Sequence, residues 1–371
     1  MAGKQNTIVK RVQDLNAADI AAWTRLREAN PATYSPYFHL DYTRLVSKLR
    51  PDVYLACVYE DETPVAFLPY QGQRFARPVG APMTDYHGFI SQSDDIAPVD
   101  IIKDAAIGAF HFSASVNPSM ESFSQSEDTG VVMDISQGAE AWRKKRDSSY
   151  RRHLKSNRRR IRKASEDIGE PRFEWLSTDQ KVFDQLISWK KEKFAETGKY
   201  DVLSADWTMS LLETLWARQG EDLRCDMHAL YFGDRLAAID LGLSDGDTFH
   251  SWIVAYDGEL HSYGAGIQLL EGLIDASKTL GYTRIDLGAG TDGYKRHYAS
   301  EDVKVSGGFI AAQGSAAALS NLYNKAETFG QKALKDAPGK IRRRYSQIAA
   351  CEDSVSGRAK AMLGAVASSR R

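Results

Sequence analysis

The chain has 371 residues, 43% hydrophobic and 10% aromatic, which favours two globular domains of ordinary size over one. Its 48 basic and 49 acidic residues give a formal charge of −1, so the total points to no partner. Cys57, Cys225 and Cys351 stand far apart, and the eight histidines show no H-x-x-x-H spacing, which argues against a disulfide framework and against a metal site.

A reducing cytoplasm is the natural setting for such cysteines. The first stretch, MAGKQNTIVKRVQDLN, has no apolar signal region, and no apolar run approaches the ~18 residues of a spanning helix. A soluble cytoplasmic protein is expected, with peripheral contact at the inner face of the membrane left open.

In chain order, helix-like DIAAWTRLREA and YFHLDYTRLVSKL come first. They precede VYLACVYEDETPVAFLPYQ (residues 53–71), two apolar runs around an acidic turn, which predict a β-hairpin. The order then recurs. VFDQLISWKKEKFAET and DWTMSLLETLWARQG precede MHALYFGDRLAAIDLGLS (residues 227–244), a second hairpin turning at Gly-Asp. An internal duplication accounts for helix, helix, strand, strand occurring twice; chance recurrence of a common hairpin is the other reading.

Between the two lies RKKRDSSYRRHLKSNRRRIRKA, residues 143–164, with twelve basic residues against Asp147 alone. Tyr150, Leu154, Ile161 and Ala164 share one helical stripe, so a helix with one buried face is predicted. It reads either as a solvated connector or as a surface for tRNA, a phosphorylated substrate or anionic lipid. It has no aromatic interleaving, which argues against sequence-specific nucleic-acid binding.

Further on come the strand TFHSWIVAYDGEL, the helix GIQLLEGLIDASKTLG and the strand YTRIDLG. Trp252 reads as core. GAGTDG, Gly288–Gly293, fits G-x-G-x-x-G, but it follows the helix instead of opening one, and YKRHYASEDVKV is too short and polar for a crossover. Dinucleotide binding is therefore set aside. The stronger anion site is HSYGAG, where Gly264 and Gly266 let the backbone turn at the start of the long helix. An ordinary βα turn fits the same residues. KVSGGFIAAQ predicts a closing strand, and residues 314–371 a helical, basic tail.

Residues 255–299, AYDGELHSYGAGIQLLEGLIDASKTLGYTRIDLGAGTDGYKRHYA, resemble the second lobe of the Gcn5-related acyltransferases. More narrowly they are similar to the FemAB-like group that includes CelD-type proteins of polysaccharide biosynthesis. Tyr256, Asp257, Gly266, Asp286, Tyr294, Lys295 and Tyr298 fill the places the group shares, and Asp85-Tyr86-His87-Gly88 is a further shared element. The resemblance spans roughly residues 20–312. It implies an α/β (α+β) fold of two tandem acyltransferase-like lobes, each a mixed, mostly antiparallel sheet flanked by helices, plus the helical C-terminal tail. The expected domains are 1–142, a lobe with a degenerate donor site; 143–165, a basic connector; 166–313, the lobe with the donor site; and 314–371, the tail.

The implied donor is acetyl-CoA or another acyl-CoA, held by His261, Ser262, Tyr263, Gly264, Ala265 and Gly266, with His261 where the superfamily carries a basic residue or Gln. Aminoacyl-tRNA is the donor in FemAB-like relatives and stays an alternative. Asp286 and Asp240 are candidate bases, and Tyr298 or Tyr294 the candidate acid. Lys295, Tyr294, Asp85 and His87 are candidate acceptor contacts. Each also has an ordinary structural reading, as strand-end cap, packed aromatic or exposed lysine. The function implied is N-acetylation of a nucleotide-linked, lipid-linked or polymeric amino sugar in bacterial exopolysaccharide synthesis. A non-catalytic polysaccharide-assembly protein that binds a membrane surface is the remaining alternative.

Overall fold

The computed structural model describes residues 5–93, 95–290, 293–334, 337–352 and 355–368, and their side chains except at 328–334, 337–340, 343, 355 and 363–368. Strand β1 (Gln5–Lys10) is followed by helix α1 (Ala17–Ala29), where Asn16 and Asp19 form a reciprocal capping box. Helix α2 (Leu40–Leu49) leads into the hairpin of β2 (Val53–Glu60) and β3 (Thr63–Gln71). Then come β4 (Phe75–Pro78), β5 (Ile90–Ser91), α3 (Pro98–Asp104), β6 (Ala109–Ser115) and β7 (Ser124–Asp134).

Helix α4 (Ala139–Lys144) precedes the long basic helix α5 (Ser148–Asp167), whose first turn is capped by the Asp147 carboxylate. Strand β8 (Pro171–Glu174), α6 (Gln180–Glu196) and α7 (Asp206–Trp216) lead to the second hairpin, β9 (Leu223–Phe232) and β10 (Arg235–Asp245). Next are β11 (Thr248–Tyr256), α8 (Ala265–Leu280), β12 (Arg284–Ala289) and β13 (Glu301–Ala311). Helices α9 (Gly314–Leu334), α10 (Ala337–Cys351) and α11 (Val355–Ser368) complete the chain. Helix, helix, strand, strand thus occurs twice, as expected.

The chain divides into two units, Met1–Asp128 with Gly198–Leu211 and Lys304–Arg371, and Thr129–Thr197 with Leu212–Val303. In the first, strands run β1-β2-β3-β4-β6-β13, with β5 on β3; β4 and β6 are parallel and the other pairs antiparallel. Val58, Leu68, Phe89, Ile102, Phe110 and Met120 anchor its core. In the second, the order is β7-β12-β11-β10-β9-β8, with only β11 and β12 parallel. Two apolar clusters pack α8 and α5 on that sheet, one through Phe249, Leu273 and Ile285, the other through Leu230, Ala265 and Ala164. Both units are mixed, mostly antiparallel sheets flanked by helices.

Two expected boundaries move. The basic stretch 143–165 is no connector: α5 buries Tyr150, Asn157 and Ala164 and belongs to the second unit. The tail is no appendage either. It belongs to the first unit, where α9 buries Ala316 and Ser320, the Ser320 hydroxyl lies 3.1 Å from His111 Nε2 of β6, and Arg77 bonds Ala349 O at 2.7 Å.

Candidate active site

The second unit contains an opening between two parallel strands. Strands β11 and β12 pair only at Thr248↔Arg284, Phe249↔Ile285 and His250↔Asp286. β11 continues to Tyr256 and β12 to Ala289 without further pairing to each other among the described residues. Against its partner β10, β11 carries a bulge. Leu241 faces Ile253 but Gly242 faces Ser251, so Trp252 is the extra residue. Gly242 is required there, because a Cβ would lie 2.2 Å from the Phe249 ring. Trp252 is accordingly half-buried at the bulge instead of core.

Beyond β11 the chain turns sharply. Asp257 accepts from Glu259 N at 2.9 Å and receives the Arg235 guanidinium at 2.6 Å. A 3-10 turn, Gly258–Tyr263, follows, and Gly264 takes the left-handed conformation at φ 65 as the residue before α8. The first N–H groups and the positive dipole end of α8 therefore face this turn. A Cβ on Gly266 would be 3.6 Å from the Tyr256 ring. His261 and Ser262 are exposed, Ala265 is buried, and Tyr263 donates its hydroxyl to Asp167 at 2.8 Å.

The cation at this turn comes from elsewhere in the chain. A Cβ on Gly264 would lie 3.3 Å from Arg160 Nη1, a side chain of α5. Helix α5 is held there by Gln268 of α8, whose amide donates to Asn157 O at 2.9 Å. Asn157 and Arg160 are one turn apart, so docking the first positions the second. The sequence signal was the basic run itself, with no means of saying where it faced.

Asp240 is the perturbed group beside the opening. It is 4% exposed on β10, opposite Val254 of β11. Ser251 Oγ donates to its Oδ2 at 2.7 Å, while Oδ1 has no hydrogen-bond partner among the described residues. Burial pushes its pKa up to about 7, against the opposing pull of the Ser251 hydrogen bond and of His250, Lys190 and Lys295. Lys190 of α6, which the sequence reading missed, bonds Val254 O at 3.3 Å, and Lys295 bonds Leu287 O at 2.6 Å. The two lysines thus hold one carbonyl on each strand beyond the last β11–β12 pair. Tyr294 is half-buried; burial, with Asp240 and Tyr256 nearby, raises its pKa to about 12.

Residues 148–296 match the model of the acetyltransferase (GNAT) domain family. This stretch is a GNAT acetyltransferase domain. It makes the chain an acyltransferase. The match begins at the first residue of α5, in keeping with that helix being part of the domain. A comparison with curated proteins returns no match.

Among solved structures, the chain is similar at 11% identity to a C-terminal domain, from Agrobacterium fabrum, assigned to a lysylphosphatidylglycerol synthetase (83% of this chain, 96% of that one, TM-score 0.49). It is similar at 9% identity to FemX (82% and 96%, TM-score 0.48). A tandem GNAT protein from the clavulanic acid biosynthesis pathway is 11% identical (84% and 100%, TM-score 0.46).

The GNAT domain separates the candidate residues. Asp286 is fully buried; its Oδ1 accepts from Gly288 N at 2.7 Å and its Oδ2 lies 3.4 Å from His250 Nδ1. It caps the strand end and lies against His250. Tyr298 is also fully buried, donating to Glu271 Oε1 at 2.8 Å beside Tyr150, with Arg143 bonding Glu271 at 2.9 Å. That packing removes Tyr298 from the candidate acids and leaves Tyr294. Asp85 and His87 belong to the other unit. His87 is buried, accepts from Ser113 N and Ala114 N at 3.2 Å, and burial holds its pKa down to about 3, so it is a neutral loop anchor. Asp85 is half-buried in the same loop. Within GAGTDG, Gly288, Gly290 and Gly293 have φ of 75, 102 and 64; Thr291 and Asp292 lie outside the described residues.

Proposed function

We propose that the GNAT domain transfers an acetyl group from acetyl-CoA to an amine, with Asp240 as the base. One observation carries this reading: a buried carboxylate with an unoccupied oxygen and a pKa near 7 sits beside the opening between β11 and β12. The turn at Gly264–Gly266 and Arg160 receive the donor's phosphates, leaving the acyl chain to run along the diverging strands.

Asp240 takes the proton as the amine nitrogen bonds to the acyl carbon. The carbon–sulfur bond breaks, and Tyr294 gives its proton to the leaving thiolate. Tyr294 is restored by a proton from solvent, and Asp240 releases one. Lys295 and Lys190 keep the strand ends apart and bias Asp240 toward its charged form.

An amino sugar, nucleotide-linked, lipid-linked or polymeric, is the acceptor the FemAB-like and CelD-type resemblance supports, and exopolysaccharide synthesis in the cytoplasm the setting. Aminoacyl-tRNA is the second reading. The exposed cations of α5, among them Arg151, Arg152, Arg158 and Arg159, favour it, and binding that falls steeply with added salt would identify it.

Calorimetric titration with acetyl-CoA tests the first reading. Binding to the native protein and its loss in Gly266→Asp are expected, since a carboxylate beside the α8 N-terminus competes with phosphate. No binding by the native protein overturns the proposal; equal binding by both places the donor elsewhere.

A further inference from the structure

Five large apolar side chains on α9 and α10 are the most exposed of their kind among the described residues: Leu322 at 65%, Ile341 at 54%, Leu319 at 49%, Tyr345 at 48% and Tyr323 at 47%. Their spacing is helical. Leu319, Leu322 and Tyr323 fall at i, i+3 and i+4, and Ile341 and Tyr345 at i and i+4. Each helix also buries neighbouring positions: Ala316 and Ser320 of α9, and Ile348 and Ala350 of α10. An ion pair of Arg342 and Glu327 at 3.0 Å ties the two helices together. The apolar face is thus a surplus beyond what the hairpin needs for its own packing.

Charge decides what covers it. Residues 314–371 carry eleven basic and four acidic residues, a balance of +7, whereas the remainder of the chain balances at −8. Of the acidic four, Glu327 is paired with Arg342, and Glu352 accepts from the Tyr200 hydroxyl at 3.5 Å. Lys325 and Lys360 are exposed. A second copy docked through the same face would bring two segments of +7 together, which disfavours self-association. Aliphatic and tyrosine side chains on helices of strong positive charge match an anionic bilayer surface, with leucine and isoleucine below the headgroups and tyrosine at their level. No described helix is long and apolar enough to cross a membrane, so contact would be in the plane of the surface.

We infer that the α9–α10 face docks the protein on an anionic lipid surface. The inference stands apart from the acyl-transfer reading, because none of these side chains belongs to the GNAT domain.

Vesicle flotation of the full chain tests it. The protein should float with phosphatidylcholine vesicles containing about one third phosphatidylglycerol, stay unbound with phosphatidylcholine alone, and be released by added salt. Leu322→Glu with Ile341→Glu, checked for an unchanged thermal melt, should weaken partitioning about tenfold or more. Leu322→Trp keeps the apolar surface and should show a blue-shifted emission on anionic vesicles alone. Absence of flotation, flotation unaltered by the double glutamate variant, or a dimer in sedimentation that the variant dissociates would each overturn the proposal.

Discussion

Ser251 Oγ donates to Asp240 Oδ2 at 2.7 Å, while Asp240 Oδ1 has no partner among the described residues. One oxygen is fixed and the other is open, the arrangement of an oriented base. Asp240→Asn should preserve the Ser251 bond and abolish proton acceptance. We expect the turnover number to fall by about 10²–10⁴. In the native enzyme the rate should rise with pH through about 7, as Asp240 loses its proton, and steady-state pH profiles of the variant should lack that limb.

The same substitution should raise stability at neutral and higher pH. Asp240 has a folded pKa of about 7 against an ordinary 3.8, so the folded chain holds the proton more tightly than the unfolded chain. That contribution is complete below pH about 4 and is lost as pH rises to about 7. Above it a buried carboxylate must be charged. Urea unfolding at pH 8 should show Asp240→Asn more stable by roughly 3 kcal/mol, an advantage that vanishes near pH 4.

Arg160→Ala should act on donor binding. The guanidinium sits at Gly264, where the donor's phosphates are proposed to bind, so the Michaelis constant for acetyl-CoA should rise by about tenfold with the turnover number little changed. Initial-rate kinetics at varied donor check this, and an equal loss in turnover would place Arg160 nearer the chemistry.

Tyr298→Phe separates packing from catalysis. Losing the bond to Glu271 should cost about 1–2 kcal/mol of stability, measured by denaturant unfolding. Activity should stay within about threefold, where removal of a general acid would cost at least about 10².

The first hairpin turns through Asp61 and Glu62 at φ 45 and 72, conformations that favour glycine. Glu62→Gly creates Asp-Gly and should stabilise the chain by about 1 kcal/mol in thermal or urea unfolding, with catalysis unaffected.

Much of the architecture was legible because it rests on local pattern. Two-residue turns between apolar runs gave both hairpins, and Gly264 before a long amphipathic helix gave the turn that opens α8. The buried stripe of α5 was readable from Tyr150, Leu154, Ile161 and Ala164, but its placement was not: the Gln268–Asn157 bond that sets it joins residues 111 apart. The same limit hid Lys190, which reaches a strand carbonyl 64 residues away. Asp286 and Tyr298 stood in motif positions, and motif alone cannot tell a side chain beside the opening from one fixed within the fold. Burial and partners bear on that, and they are why Asp240, an interruption in an apolar strand, is the base we propose.

The short ladder between β11 and β12 has a consequence for how the domain can be watched at work. A strand that loses one neighbour after three residues leaves the main-chain amides on that edge without protection from solvent deuterium. Within 251–256 and 287–289, the amides that point into the opening, and not toward β10, β7 or the Asp286 carboxylate, should therefore exchange faster in the unliganded protein than the three paired positions above them. A donor lying between the strands would slow that exchange at just those residues. The amide pattern would then report occupancy of the opening directly, before any acceptor has been identified.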